Sequence, residues 1–252
     1  MMLAINEIHE GDCLELMKEI PEGSVDMVLC DLPYGTTACK WDTIIPFELL
    51  WKEYRCIAKT NAAIVLTASQ PFTSALVMSN IGEFKYCWIW DKRMTTNFAM
   101  AKKQPLRNYE DIVVFYKHQC LYNPQIDNKN TLKPFGKIRG GPSDVCGNLG
   151  DKKNVGVGYP KSILTFPRPN NLNSDGNLHP TQKPVALFEY LIRTYTNEGD
   201  LVLDNCSGSG TTAIACINTK RNYICIEKES KYVALSRKRI ADHLAKMSEQ
   251  LL

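Results

Sequence analysis

The chain has 252 residues, of which 44% are hydrophobic and 23% charged, enough apolar material for one sizeable core and too little length for two large independent domains. Its net charge of +3 is unevenly spread: residues 85–170 hold 15 Lys/Arg against 6 Asp/Glu, a +9 segment that suits a polyanion such as nucleic acid, with a solvated lysine-rich surface as the plain alternative. No apolar run is long enough to span a bilayer, no basic-then-apolar leader opens the chain, and the ten cysteines contain no Cys-x-x-Cys pair, so a cytoplasmic protein without membrane or metal site is expected.

In chain order, residues 6–9 read as a short strand, and Gly11-Asp12 turns into a helix carrying Leu14, Leu16, Met17 and Ile20 that Pro21 ends. Residues 25–31 are nearly all apolar before the terminal Asp31, as expected of a central parallel strand covered on both faces. A helix over 47–57, a strand over 62–67, a helix from about Pro71, and strands over 85–90 and 111–116 follow. From about 118 to 180 Pro, Gly, Asn and Lys dominate without sustained periodicity, which predicts a long irregular segment committed to substrate contact. Helical spacing returns with Leu187, Phe188, Leu191, Ile192 and Tyr195, and a strand (201–203), a helix (212–218), a strand (223–226) and a helix from about Ser230 complete the chain. The alternation predicts an α/β fold with a doubly wound, mostly parallel sheet.

Two stretches carry chemistry. Leu201-Val202-Leu203-Asp204-Asn205-Cys206-Ser207-Gly208-Ser209-Gly210-Thr211-Thr212 is a strand that ends in an acid, opens into a small-residue loop and enters a helix. Gly208 and Gly210 let the backbone approach a ligand, and the helix start offers unpaired N–H groups. An ordinary tight turn shares this pattern, but the next strand ends in Glu227, where a carboxylate can accept both ribose hydroxyls of a nucleoside. No Gly-Lys-Ser/Thr follows, which argues against a triphosphate loop. The second stretch, Asp31-Leu32-Pro33-Tyr34-Gly35, lies at the carboxyl end of the 25–31 strand. Asp31 and a nearby main-chain carbonyl can each accept one N–H of an exocyclic base amine, exposing its lone pair to a methyl donor. Pro33 stiffens that backbone, and Tyr34 can stack on a flipped-out base. An isolated match would equally be a turn after a strand.

Together these stretches resemble the amino-group (adenine-N6 or cytosine-N4) DNA methyltransferases of the beta arrangement. Asp31-Leu32-Pro33-Tyr34 is similar to their catalytic Asp-Pro-Pro-Tyr, residues 204–212 to their cofactor loop, and His179-Pro180-Thr181-Gln182-Lys183-Pro184 to the segment before it. Gly11-Asp12 resembles the stretch whose acid meets the cofactor adenine. The resemblance implies a circularly permuted Rossmann-like methyltransferase domain over residues 1–252, with a target-recognition insertion over about 92–178 and a cofactor-binding part over 179–235. It implies S-adenosyl-L-methionine as cofactor, held by Asp12, Asp31, His179, Thr181, Gln182, Lys183, Asp204, Cys206, Gly208, Ser209, Gly210, Thr211, Thr212 and Glu227, with Asp31, Leu32, Pro33 and Tyr34 catalytic. Leu32 departs from the first proline yet keeps the carbonyl, and Asn205-Cys206 replaces Pro-Phe. Asp rather than Ser at position 31 favours adenine N6.

The insertion nearly coincides with the +9 segment, so double-stranded DNA is the expected partner. Lys102, Lys103, Arg107, Asn108 and Tyr109 mix cations, an amide and an aromatic suited to phosphate and base contact, and Lys137 and Arg139 lie among glycines and prolines as DNA-reading loops would. A homodimer and a partner restriction endonuclease accompany the family reading. Methylation of cytosine N4, RNA or a protein amide, a nicotinamide-dependent dehydrogenase and an inactive DNA-binding module remain as alternatives. No Pro-Cys dipeptide occurs, so a cytosine-C5 nucleophile is not expected.

Overall fold

The computed structural model describes residues 2–36, 39, 42–126, 158–169 and 182–249. The chain forms two compact units, residues 1–123 with 162–252, and residues 124–161. Every element named below belongs to the first: β1 (Glu7–Glu10), α1 (Cys13–Leu16) with a 3-10 turn (Met17–Glu19), β2 (Val25–Asp31), α2 (Phe47–Ile57), β3 (Ala58–Ala68), α3 (Phe72–Ser79), β4 (Phe84–Thr96), β5 (Arg107–Phe115), β6 (Ile163–Thr165), α4 (Val185–Tyr195), β7 (Leu201–Asp204), α5 (Thr211–Thr219), β8 (Asn222–Glu227) and α6 (Ser230–Glu249).

The eight strands form one sheet in the order β1-β8-β7-β2-β3-β5-β4-β6. Pairings are parallel except β3–β5 and β4–β5. Period-two alternation sends the central strands' side chains into two cores. Met27, Leu29, Ala63, Val65, Ile112 and Val114 face the α4–α5–α6 layer, whereas Val28, Cys30, Ile64, Leu66, Val113 and Phe115 face α1, α2 and α3. These strands read as continuous apolar runs because both faces are covered.

The expected permuted order is present, with β1 beside β8 and Arg237 of α6 donating to the Ile8 carbonyl at 2.7 Å. From β2 the chain winds one way through α2 to β3; from β7 it winds the other way through α5 to β8. The switch falls between neighbours β2 and β7, where an open sheet leaves a crevice at its carboxyl edge.

Two expectations are corrected. The helix expected over 14–20 stops after one turn and tightens into a 3-10 turn, because Pro21 forces Ile20 into extended backbone. β6, too short to show a period, pairs parallel with β4. Residues 92–123 and 162–169 lie in the sheet-bearing unit, where β4 runs on to Thr96 and pairs with β5, and residues 124–161 form the separate unit. No helix among the described residues is long and apolar enough to cross a membrane.

Candidate active site

Parallel strands deliver their last residues to one edge, so Asp31, Asp204 and Glu227, which end β2, β7 and β8, and Thr67, the penultimate residue of β3, lie on the same side of the sheet. The loop after β7 is tightly held. Asp204 is buried, its Oδ1 accepting from the Cys206 N–H at 3.1 Å and its Oδ2 from the Thr212 hydroxyl. Burial raises its pKa to about 6, against the lowering effect of those donors. Gly210 takes φ +75° just before α5. Arg239 of α6 donates to the Ser209 carbonyl at 3.0 Å and the Thr211 hydroxyl at 3.2 Å, and the Ser209 hydroxyl donates to Gln182 Oε1 at 3.3 Å.

Glu227 closes the far side. Its Oε2 accepts from the Gly208 N–H and its Oε1 from the Glu229 N–H, each at 2.8 Å, and burial raises its pKa. Each oxygen keeps a second lone pair for a hydroxyl. Because Glu10 registers with Glu227 and the Gly11 N–H donates to the Glu227 carbonyl at 3.0 Å, the turn after β1 brings Asp12 alongside. Asp12 Oδ1 caps α1 by accepting from the Leu14 N–H at 2.9 Å. Where the family pattern has Pro-Phe, the side-chain Oδ1 of Asn205 accepts from the buried Tyr54 hydroxyl at 2.6 Å, and the Cys206 thiol meets those of Cys13 and Cys30. The Ser207 hydroxyl is buried on the cavity wall without a hydrogen bond among the described residues, the kind of orphaned group a ligand satisfies.

On the catalytic side, Asp31 is fixed by three partners. Its Oδ1 accepts from the Tyr34 hydroxyl at 2.8 Å and from the Thr67 hydroxyl, and its Oδ2 pairs with the Lys183 ammonium at 2.5 Å. The loop beyond Tyr34 is tied down by Asp42, whose carboxylate accepts from the Gly35 and Thr36 N–H groups at 2.8 and 2.9 Å. Tyr34 was expected to be available as a stacking platform. One face of its ring already stacks on Phe72, 5.1 Å between centroids, because its hydroxyl turns inward to Asp31.

Lys183, expected among the cofactor ligands, is buried between two carboxylates, Asp31 and Glu110, with Glu110 Oε2 at 3.4 Å. Glu110 Oε1 pairs in turn with Lys92. Burial opposes ionisation of both Glu110 and Lys183, yet the opposite charges outweigh it: Lys183 and Lys92 lower the Glu110 pKa, and Asp31 and Glu110 raise that of Lys183. Thr67, Asp42, Lys92, Glu110 and Arg239 had no motif to announce them, and Ser207 lay within the cofactor-loop motif without being singled out. Lys92 and Glu110 meet only because Trp90 registers with Glu110 across the antiparallel pair.

One cavity of about 670 Å³ joins the two sides, lined by Asp31, Leu32, Pro33 and Tyr34 and also by Asp12, Asp204, Cys206, Gly208 and Glu227. That volume suits a nucleoside-sized ligand with room beside it. Gln182, Lys183, Ser209 and Thr211 share its wall, whereas Gly210 and Thr212 stand behind it and shape the loop. Arg107 reaches the same cavity and donates to the Ser69 hydroxyl at 2.7 Å; Arg168 lines it too. Lys102 and Lys103 are exposed in the turn before β5, and Asn108 and Tyr109 are exposed on its first residues. His179, Thr181, Lys137 and Arg139 lie outside the described residues. No group of three or more His, Cys, Asp or Glu suited to a metal ion occurs among the described residues.

A doubly wound sheet that brings two strand-terminal acids and a glycine turn around one cavity has the architecture of a nucleoside-cofactor methyltransferase. A family model described as DNA methylase, for the N6 and N4 enzymes, matches residues 25–238, and the chain belongs to that family. It is 29% identical to the DNA adenine methyltransferase YhdJ of Escherichia coli K12 over 96% of this chain and 87% of that protein. It is 25% identical to the type II methyltransferase M.HpaI of Haemophilus parainfluenzae, over 91% and 72% respectively. Among solved structures, the M1.HpyAVI–SAM complex aligns with TM-score 0.64 at 24% identity over 93% of this chain and 98% of that one. The cytosine-N4-specific PvuII DNA methyltransferase aligns with TM-score 0.66 at 17% identity over 96% and 92%. The protein is therefore an S-adenosyl-L-methionine-dependent DNA methyltransferase acting on an exocyclic base amine.

Proposed function

We propose that the methylated group is adenine N6 in double-stranded DNA and that Asp31, with the Leu32 carbonyl, is the catalytic acceptor pair. The observation that carries this reading is the single cavity lined by both Asp31 and the glycine turn of residues 208–210. The identity of residue 31 and the likeness to an adenine methyltransferase favour adenine.

In this reading Glu227 holds the cofactor ribose, Asp12 meets its adenine end, and the Ser207 hydroxyl and Gly208 line its path. When bound, the cofactor supplies a methyl group on a positively charged sulfur, open to in-line displacement by nitrogen. An exocyclic amine is a poor nucleophile while its lone pair is delocalised into the ring. Asp31 and the Leu32 carbonyl each take one N–H, which draws the nitrogen towards tetrahedral geometry and frees that pair. The proton released on methylation goes to Asp31 and then to water. Pro33 and Asp42 keep the loop from yielding as the base enters.

Arg107 and Arg168 lie where the flanking phosphates of a flipped base would pass, and residues 124–161 with the basic stretch around them carry target recognition. The type II relatives support a partner restriction endonuclease, and the family reading supports a homodimer. Tritiated-methyl transfer to unmethylated duplex DNA, followed by nucleoside mass spectrometry, is expected to yield N6-methyladenine. Asp31→Ala is expected to keep cofactor binding and lose at least about a hundredfold in single-turnover rate. N4-methylcytosine as product would refute the base assignment, and undiminished transfer by the variant would refute the role of Asp31.

A further inference from the structure

Lys183 stands between two carboxylates with unequal claims on it. Its ammonium hydrogen-bonds Asp31 Oδ2 at 2.5 Å and lies 3.4 Å from Glu110 Oε2, a buried oxygen that accepts no hydrogen bond among the described residues. Buried acceptors are nearly always satisfied, so an unsatisfied carboxylate oxygen beside a cation needs a reason. Lone-pair counting supplies one. The Tyr34 and Thr67 hydroxyls crowd Asp31 Oδ1, so the target amine comes to the second lone pair of Oδ2, directly beside the Lys183 ammonium.

Occupancy by Lys183 also conflicts with the chemistry. As the methyl moves, positive charge passes from sulfur to the amine nitrogen, and an ammonium on the same carboxylate oxygen repels it at close range. The Lys92–Glu110 pair stays in place and leaves Oε2 as a waiting acceptor.

Resting on the catalytic role proposed for Asp31, we propose that Lys183 is a movable counter-ion, which neutralises Asp31 while the base pocket is empty and passes to Glu110 Oε2 when the target amine arrives at Asp31 Oδ2. Glu110 and Lys183 are then positioning residues acting through Asp31. Empty, the arrangement keeps the part-buried Asp31 carboxylate and the buried Lys183 paired; occupied, it gives Asp31 to the amine without leaving Lys183 uncompensated.

A double-mutant cycle tests the handover. Glu110→Gln removes the charge that draws Lys183 away, so the single-turnover rate on unmethylated duplex DNA should fall at least about tenfold, the worth of a hydrogen bond to a charged group. Its calorimetric affinity for S-adenosyl-L-methionine should not change. Adding Lys183→Met to that variant removes the obstructing ammonium, so the double variant should transfer faster than Glu110→Gln alone. A purely structural role gives multiplying losses instead. Undiminished transfer by Glu110→Gln, or a double variant slower than that single, overturns the handover. If Glu110→Gln lowers the melting temperature or cofactor affinity, the cycle is run with Glu110→Asp, which keeps the charge and withdraws it by about one C–C bond, and the same suppression is required. Wild-type protein that methylates no DNA would refute the proposed function itself; active wild type with multiplying losses refutes only the handover.

Discussion

Gly210→Ala probes the loop that carries the cofactor. At φ +75° a residue with a side chain carries a steric cost of about 1–2 kcal/mol. A Cβ there would also lie 2.9 Å from Ser236 Cβ on α6, a buried neighbour, while Ser236 Cα and Ile240 Cδ1 stay at the ordinary distances of 3.6 and 3.9 Å. Relieving that overlap needs movement of α6 and adds about 1–3 kcal/mol. The two costs together are about 2–5 kcal/mol, which lowers the melting temperature of a domain this size by roughly 5–15 °C. Because the overlap is with one atom, the two costs separate. Ser236→Gly deletes that atom, so the Gly210→Ala/Ser236→Gly pair should show a favourable coupling of about 1–3 kcal/mol in denaturant melts, leaving only the backbone part. Coupling within about 0.5 kcal/mol of zero would refute the assignment of the cost to the loop–α6 contact. Arg239, one turn further along α6, pins the same loop, so Gly210→Ala should also weaken cofactor binding.

Glu227→Gln places an amide NH₂ against one of two backbone donors that now meet carboxylate oxygens, and should weaken S-adenosyl-L-methionine binding about tenfold by calorimetry. Unchanged affinity would remove Glu227 from the cofactor site. Asp204→Asn should alter the pH dependence of stability with a definite sign. Burial raises the Asp204 pKa from 3.8 to about 6, so the native state binds the extra proton between those values and wild-type stability falls as pH rises through that window. The difference of about 2 units corresponds to about 3 kcal/mol. Asparagine carries no such cost, so the variant's melting temperature relative to wild type should be higher at pH 7.5 than at pH 4.5. A difference independent of pH would show that Asp204 does not titrate in that range.

Much of this protein is legible along the chain because much of it is local. β2 and α2 fall on the residues where their patterns predict them, since an unbroken apolar run and a 3.6-residue period are properties of neighbours in sequence. The cofactor turn is likewise local: Asp204, the glycines and the start of α5 lie within a dozen residues, and Glu227 ends the next strand. Asp31 was readable as a strand-terminal acid ahead of Pro33 and Tyr34. The early end of the helix after Asp12 and the strand β6 were not, because a single turn or three residues carry no period.

The amino-acid sequence by itself therefore determined the α/β winding, the two chemical loops and the family they resemble. Tertiary structure alone decided who surrounds Asp31. Thr67 reaches it through the β2–β3 register, Glu110 through an antiparallel strand that begins where the parallel strands end, and Lys183 across 152 positions of chain. A backbone pattern constrains a few residues at a time, whereas a buried charge is stabilised by whichever opposite charges the sheet's register brings within a few ångströms, and that register is set by the packing of the whole core.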